Sequence, residues 1–435
     1  MSSNANKLNI SSVTRRKFIK STAAMSSLTL MPGAAFSLAD KHFTIKKEVM
    51  SSKDQKSIIG GYGQWAAGLQ KDPPEFSFRQ QKYKNLDKWK DIALGKAKEC
   101  VASPDTGSTP KAIIKNKYRF HDLDVEEVEW QLPYGRPTKA VVLKPANTKG
   151  KLPAILGLHD HAGLKYFGLR KIIRTSDKIH PLIELHQEDD YGGRAWANEI
   201  ARKGYVVLVH DAFDFASRRV LIKNMTPIGW GAAKTAGLSD DDPENSDNIE
   251  KYNRWAGGHE DILSKSLFCA GTTWPGVFLS EDQRALDVLS ARDDVDANRI
   301  GCAGLSGGGL RTVYLGGLDP RIKCAVAVGF MTTWKDFILT KSFTHTWMTY
   351  TPLLPKYLDF PEILGLRVPL PTMVLNNNED QLYSLSEMKR ADSILESVFK
   401  KAGSLDKYRC NFYPGKHKFD IKMQEDAFNW FDRWL

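Results

Sequence analysis

A serine hydroxyl opens an acyl carbon only when a base takes its proton and donors hold the charge that develops on the carbonyl oxygen. Ser306 has the surroundings for that chemistry. It lies in Gly304-Leu305-Ser306-Gly307-Gly308, the G-x-S-x-G pattern of a tight strand-to-helix turn that pushes the hydroxyl outward. Such a turn brings backbone against backbone, so the residues two before and two after the serine must be small. Gly304 and Gly308 meet that need. As a bare pattern this is weak, and an idle serine on a glycine-rich turn is the bland alternative. Context favours the nucleophile: residues 299–303 read as a strand and residues 310–318 as a helix whose N-terminal amides favour negative charge.

The partners follow from chain order, because after a nucleophile of this kind the acid and then the histidine come later in the chain. Of ten histidines only His345 and His417 lie beyond Ser306. His345 falls inside a long connection. His417 follows the apolar stretch 408–413 through Pro414-Gly415-Lys416 and precedes the last helix, where a loop can bring an imidazole to the serine as general base. The acid must orient that imidazole and stabilise its protonated form. Asn376-Asn377-Asn378-Glu379-Asp380-Gln381-Leu382 follows the strand at 372–375 and offers two acids. Asp380 is preferred, Glu379 is the alternative, and Asp336 is a weaker one. For the oxyanion hole, one donor is expected from the amide of Gly307. The other is expected from Leu158-His159-Asp160-His161-Ala162-Gly163, with the amide of His161 first and that of Ala162 next. His159-Asp160-His161 could also be read as metal ligands, but no third ligand at suitable spacing accompanies them, and no metal or cofactor is expected.

These side chains need a scaffold that delivers loops to one edge. Short apolar runs without alternation recur at residues 154–158, 205–209, 300–303, 324–328 and 372–375, as in parallel strands covered on both faces. Two alternating stretches, at 125–130 and 140–143, read as antiparallel opening strands. Helical patterns lie between, at 196–203, around Leu286 and Leu289, at 382–401 and at 427–435. Strands alternating with helices imply an α/β fold with a mostly parallel, doubly wound sheet. Two connections, 213–275 and 331–369, are far longer than usual and leave from carboxyl ends of strands, the edge where such sheets bind ligands. They read as insertions over the active-site edge. Five tryptophans in or beside them (Trp230, Trp255, Trp274, Trp334, Trp347) are core residues of a lid or platforms for sugar rings. Arg218-Arg219 reads as part of an ion pair rather than as a clamp for an acidic substrate.

The chain has 435 residues, 42% hydrophobic and 26% charged, with a net charge of +11. Five of the basic residues (Lys7, Arg15, Arg16, Lys17, Lys20) fall in the first 39, which contain no acid. The remainder is only mildly basic and interleaves no basic run with aromatics, so nucleic acid is not an expected partner. Arg15-Arg16-Lys17-Phe18 precedes a weakly apolar stretch and then Ser37-Leu38-Ala39, the layout of a processed signal. The arginine pair with Phe18 resembles the twin-arginine export motif. Residues 1–39 are therefore expected to be a signal peptide read by the Tat machinery. The mature chain would begin near Asp40, periplasmic or secreted, with no stable membrane anchor. Residues 40–117, with helical spacing at Leu86-Trp89-Ala93-Ala97, read as an N-terminal extension packing on a catalytic domain at 118–435. Cys100, Cys269, Cys302, Cys324 and Cys410 are too few and odd in number for a disulfide framework, although Cys100 could pair in an oxidising compartment.

Together these motifs resemble the dienelactone hydrolase and acetyl xylan esterase-like branch of the α/β-hydrolases. The resemblance covers roughly residues 118–435. It rests on Leu158-His159-Asp160-His161, on Asp296-Ala297-Asn298-Arg299-Ile300-Gly301 leading into the turn, on Tyr191-Gly192-Gly193-Arg194-Ala195-Trp196-Ala197, and on Gly415-Lys416-His417. It implies a cofactor-free hydrolase of carboxylic esters, small or polysaccharide-borne. Dienelactone hydrolases proper carry a cysteine where this chain has Ser306, and Asp160 stands where the family usually has glycine. Two rival readings remain: a peptidase of the prolyl-oligopeptidase type, which shares the catalytic domain but usually carries a β-propeller, and a binding protein that keeps a silent hydrolase fold.

Overall fold

The aliphatic runs form the centre of a nine-stranded sheet with strand order β1-β2-β3-β5-β4-β6-β7-β8-β9. In the computed structural model of the chain, which describes residues 56–435, the strands are β1 (Ile113–Phe120), β2 (Leu123–Trp130), β3 (Thr138–Pro145), β4 (Leu152–Gly157), β5 (Val206–His210), β6 (Val295–Leu305), β7 (Cys324–Val328), β8 (Thr372–Asn377) and β9 (Tyr408–Tyr413). The signal-peptide reading of residues 1–39 falls outside the described residues. The first three strands pair antiparallel, β3 runs antiparallel to β5, and all later pairings are parallel. This is the α/β-hydrolase fold.

Alternation along each central strand sends side chains to two separate cores. Ala154 and Leu156, Val206 and Leu208, Ile300 and Cys302, and Ala325 and Ala327 pack on one face. Ile155, Val207 and Val209, Ala303 and Leu305, and Val326 and Val328 pack on the other. The first face is covered by helices α1 (Leu86–Val101), α5 (Trp274–Ser290), α6 (Gly307–Leu318) and α7 (Leu385–Lys401), and the second by α3 (Trp196–Arg202) and α8 (Ile421–Trp434). Two further helices serve the site: α2 (Pro181–Tyr191) and the 24-residue α4 (Ser246–Cys269). Because both faces are sealed, the strands carry no polar alternation, which is why they read as continuous runs.

Three features correct or sharpen the reading of the pattern. Strand β1 begins at Ile113, so the sheet starts before Tyr118, inside the stretch read as an extension. Its burial is almost all exposed, and an exposed edge strand leaves no hydrophobic signature. Helix α1 bears out the helical spacing of Leu86, Trp89, Ala93 and Ala97, and with the last three buried it joins the main core instead of packing on it as an extension; the described residues form one compact unit. The connection at 213–275 holds a long helix, α4, in its second half. Its mean hydropathy is low, and a helix that buries only a narrow stripe gives a faint signal. All five cysteines are unbridged; Cys100, Cys302 and Cys324 are buried, and Cys269 is exposed. Among the described residues no helix is long and apolar enough to cross a membrane.

Candidate active site

Strand order reverses between β4 and β6, and the carboxyl ends of strands at such a switch are the place where these sheets bind ligands. Ser306 stands at this edge. It is the N-cap of α6, with φ 57° and ψ −117°, a left-handed backbone that non-glycine residues rarely adopt and that marks functional turns. Its amide donates to Val328 O at 2.8 Å, and its carbonyl accepts from Leu310 N at 2.8 Å. A Cβ on Gly304 would lie 2.3 Å from Leu158 O, and one on Gly308 would lie 2.0 Å from the same atom. The two glycines are thus dictated by the carbonyl of the residue just after β4.

His417 reaches the same edge from the loop after β9. That loop is stitched to the loop after β8: Asn378 N donates to Tyr413 O, Glu379 N to Gly415 O, and Lys418 N to the Asn377 side chain. A Cβ on Gly329 would lie 2.8 Å from His417 Cε1 and 3.0 Å from Leu305 Cδ1. The imidazole therefore lies against the ends of β6 and β7, beside the residue that precedes Ser306. Gly329 also has φ 58°, and its carbonyl accepts from the Tyr383 hydroxyl at 3.0 Å.

Of the acids considered, Asp380 meets the histidine. It is buried, its Oδ2 lies 2.5 Å from His417 Nδ1, and its Oδ1 accepts from Leu382 N at 3.0 Å. Glu379 is exposed, because one residue further back the chain still faces solvent. Asp336 is buried elsewhere, accepting from Thr332, Thr340 and Ser384, and so ties the second insertion to the start of α7. The geometry thus brings Ser306 and the His417–Asp380 pair to one strand edge. His345 lies near them, ringed by Phe330, Phe337 and Tyr383. Its Nδ1 donates to Lys341 O at 3.0 Å, and burial pulls its pKa down to about 4, so the ring is neutral.

The loop after β4 lies across from α6. A Cβ on Gly307 would sit 2.9 Å from the backbone nitrogen of His161 and 3.0 Å from its Cβ, so His161 lies against the residue following the serine. The side chains of His159-Asp160-His161 diverge to separate partners. His159 donates from Nδ1 to Asp160 O, and its Nε2 accepts from Ala212 N. Asp160 receives His186 Nε2 at 3.1 Å and the Tyr191 hydroxyl at 2.5 Å. His161 Nε2 pairs with Glu260 Oε1 at 2.6 Å. They do not converge as metal ligands would.

Sequence reasoning missed several residues that hold this edge. Glu260 on α4 joins His161 to the second insertion by accepting from Thr346 Oγ1 at 2.6 Å and Trp347 N at 3.2 Å. Burial works against its charge, but Lys165 and His161 outweigh that and hold the carboxyl well below its ordinary range. Lys165 is itself buried between Asp214 and Glu260, at 2.6 and 3.0 Å. Lys171, at the end of a short 3-10 turn, is also fully buried. The one signal available was Asp160: an acid in a loop flanked by buried strand demands a cation, but nothing in the spacing says which lysine answers. Of the tryptophans, Trp255, Trp274 and Trp334 are buried, whereas Trp230 (85%) and Trp347 (41%) are exposed. Arg218 forms a buried ion pair with Glu281 at 2.6 Å, and Arg219 stacks over Tyr166.

Comparison with known proteins agrees with this architecture. Residues 273–392 match the family model of the prolyl oligopeptidase family, a stretch running from α5 through the Ser306 turn and Asp380 into α7. The chain has the fold of the α/β-hydrolase class, and the family match supports a hydrolase of the serine type. More particularly, it is 25% identical over 297 residues to the Bacillus subtilis protein YtaP, assigned as a hydrolase, covering 68% of this chain and 83% of that one. Among solved structures it is similar to one assigned as an acetyl xylan esterase from Bacteroides fragilis, with a TM-score of 0.61 and 18% identity over 83% of this chain and 84% of that one. It is also similar to a glucuronoyl esterase from Solibacter usitatus, with a TM-score of 0.53 and 15% identity over 79% and 91% of the two chains.

Proposed function

We propose that the protein is an exported esterase that cleaves carboxylic esters through Ser306, His417 and Asp380. The observation that carries this reading is the 2.5 Å contact from Asp380 to His417 Nδ1, with that imidazole lying against the strand end that bears Ser306. The bond to Asp380 fixes the tautomer that leaves Nε2 as the base. Ser306 Oγ attacks the ester carbonyl carbon while its proton passes to His417, and the carbonyl π electrons move onto oxygen, facing the amides of Gly307 and His161. Collapse breaks the bond to the alcohol oxygen, which takes the proton from His417. Water then repeats the sequence on the acyl-enzyme and releases the acid. Asp380 stays ionised throughout and stabilises the imidazolium. No step calls for a cofactor.

Ester rather than amide substrates are favoured by the likeness to carbohydrate esterases, and Trp347, exposed and tied through its amide to the Glu260 that pairs with His161, suits a sugar-bearing alcohol. Export rests on the first 39 residues, with the Tat machinery as partner and a periplasmic or secreted destination. The family match supports a second reading, a peptidase. No strand precedes Ile113 among the described residues, so the described chain offers no propeller before the catalytic core. Labelling with a fluorophosphonate, followed by a panel of acetylated xylan, glucuronoyl esters, short nitrophenyl esters and prolyl amides, tests the proposal. Labelling that disappears in Ser306→Ala, together with ester turnover exceeding amide turnover, is expected. Equal labelling of Ser306→Ala would refute the nucleophile. Preference for the amides would favour the peptidase, and absence of any turnover would favour a binding protein.

A further inference from the structure

A trans peptide is planar, so its N–H points opposite to the preceding carbonyl. Whatever grips two successive carbonyls on one side of a loop therefore aims two successive amides to the other side. The Asp160–His161 and His161–Ala162 peptides are trans. Lys171 Nζ donates to Asp160 O at 2.7 Å and to His161 O at 2.9 Å, and His159 Nδ1 adds a second donor to Asp160 O. The amides that must point away from the ammonium are those of His161 and Ala162, and His161 N lies nearest to Gly307, 2.9 Å from where a Cβ there would stand.

From this geometry we infer that Lys171 is a positioning residue that presets the oxyanion hole, by holding the carbonyls behind the His161 and Ala162 amides. The inference rests on the serine-esterase reading above. Asp160 completes the device. Its carboxylate lies 3.6 Å from Lys171 Nζ and is held in turn by Tyr191 and by His186, which bonds Asp190 through its other nitrogen at 2.9 Å. The carbonyl of Asp190 accepts from Phe419 N at 2.7 Å, two residues beyond His417. Helix α2 thus links the loop of the proposed oxyanion donors to the loop of the proposed base. Phe215 covers the ammonium at 4.7 Å. The Asp160 that departs from the family's glycine is therefore the counter-charge of the lysine that aims the loop. Burial lowers Lys171 to about 8, and the same acid keeps it from falling further. Preset donors stabilise the transition state without reorganising at the moment of reaction.

The test compares purified full-length wild type with Lys171→Met, which keeps an unbranched apolar stem and removes every donor. Turnover of a nitrophenyl ester is measured along with the inhibition constant of a trifluoromethyl ketone, whose adduct with the serine places an oxyanion in the hole. The expected result is a kcat lower by roughly 100-fold, an inhibition constant raised by a similar factor, and a KM within about threefold of wild type. A folded variant whose kcat stays within about threefold overturns the inference, and so does a loss of kcat with no change in the inhibition constant, which marks a merely structural role. If K171M does not fold because the buried Asp160 carboxylate has lost its lysine counter-charge, the double variant K171M/D160N removes both charges and is judged by the same criteria. Failure of that variant to fold also overturns the inference, since Lys171 then supports the fold rather than the aim of the loop. Ser306→Ala separates the two claims: if it remains active the esterase reading fails, and if it is dead while K171M is fully active only this inference fails.

Discussion

Replacing Gly308 with alanine sets the tightest contact of the site against its chemistry. The added methyl would lie 2.0 Å from Leu158 O, 2.9 Å from Leu158 C and 3.2 Å from His159 C. Real Cβ atoms essentially never approach closer than 3.0 Å, so α6 and the loop after β4 must part by about 1 Å. Neither is free to yield. Leu158 N is bonded to Ala303 O on β6 at 2.9 Å, and a Cβ on the next helix residue, Gly309, would already lie 2.4 Å from Val328 O. Overpacking of this kind costs about 1–3 kcal/mol of stability, which a domain with a full core survives. A displacement of about 1 Å between nucleophile and oxyanion donors costs about 100-fold in rate. Gly308→Ala is therefore expected to remain folded, with a modestly lower Tm, and to lose about two orders of magnitude in kcat on a nitrophenyl ester. The control is Gly95→Ala on α1, where a Cβ meets nothing within 4 Å. It is expected to gain up to about 1 kcal/mol from helix propensity and to keep full activity. A Gly308→Ala enzyme with wild-type kcat would refute the claim that this contact sets the distance between serine and loop.

The choice of acid is tested by a pair of isosteric changes. Asp380→Asn is expected to lower kcat about 10³–10⁴-fold by misassigning the tautomer of His417, while Glu379→Gln on the solvent side stays within about threefold; the opposite ranking would move the triad acid. His345 makes a prediction about stability. Its folded pKa of about 4 lies below the ordinary 6.5, so below pH 6.5 the unfolded chain binds a proton that the folded one refuses. Its share of stability is thus complete above about pH 6.5 and is lost as pH falls through 4, up to about 3 kcal/mol. His345→Phe, which keeps an aromatic ring among Phe330, Phe337 and Tyr383, is expected to lose less Tm than wild type between pH 7.5 and 4.5. Equal losses would show that the ring is not held neutral.

Local features were legible because their causes are local. The turn at Ser306 needs small neighbours, an apolar strand before it and a helix after it, all contiguous in the chain, so residue types alone dictate it. The doubly wound sheet was legible for a similar reason, since strands sealed on both faces must be apolar throughout, as residues 324–328 are. Chain order then singled out His417 over His345. Tertiary structure alone decided the rest. Asp380 and Glu379 are adjacent and chemically alike, and only the pairing of the loops after β8 and β9 turns one toward His417 and leaves the other in water. The same holds for Lys171, whose ammonium meets carbonyls ten and eleven residues away on a loop whose sequence carries no mark of it. It holds for the tryptophans too, three of which entered the core while Trp230 and Trp347 did not. Periodicity reports which side of its own element a residue occupies. Which partner it meets depends on where distant segments cross, and that is set by the packing of the whole sheet.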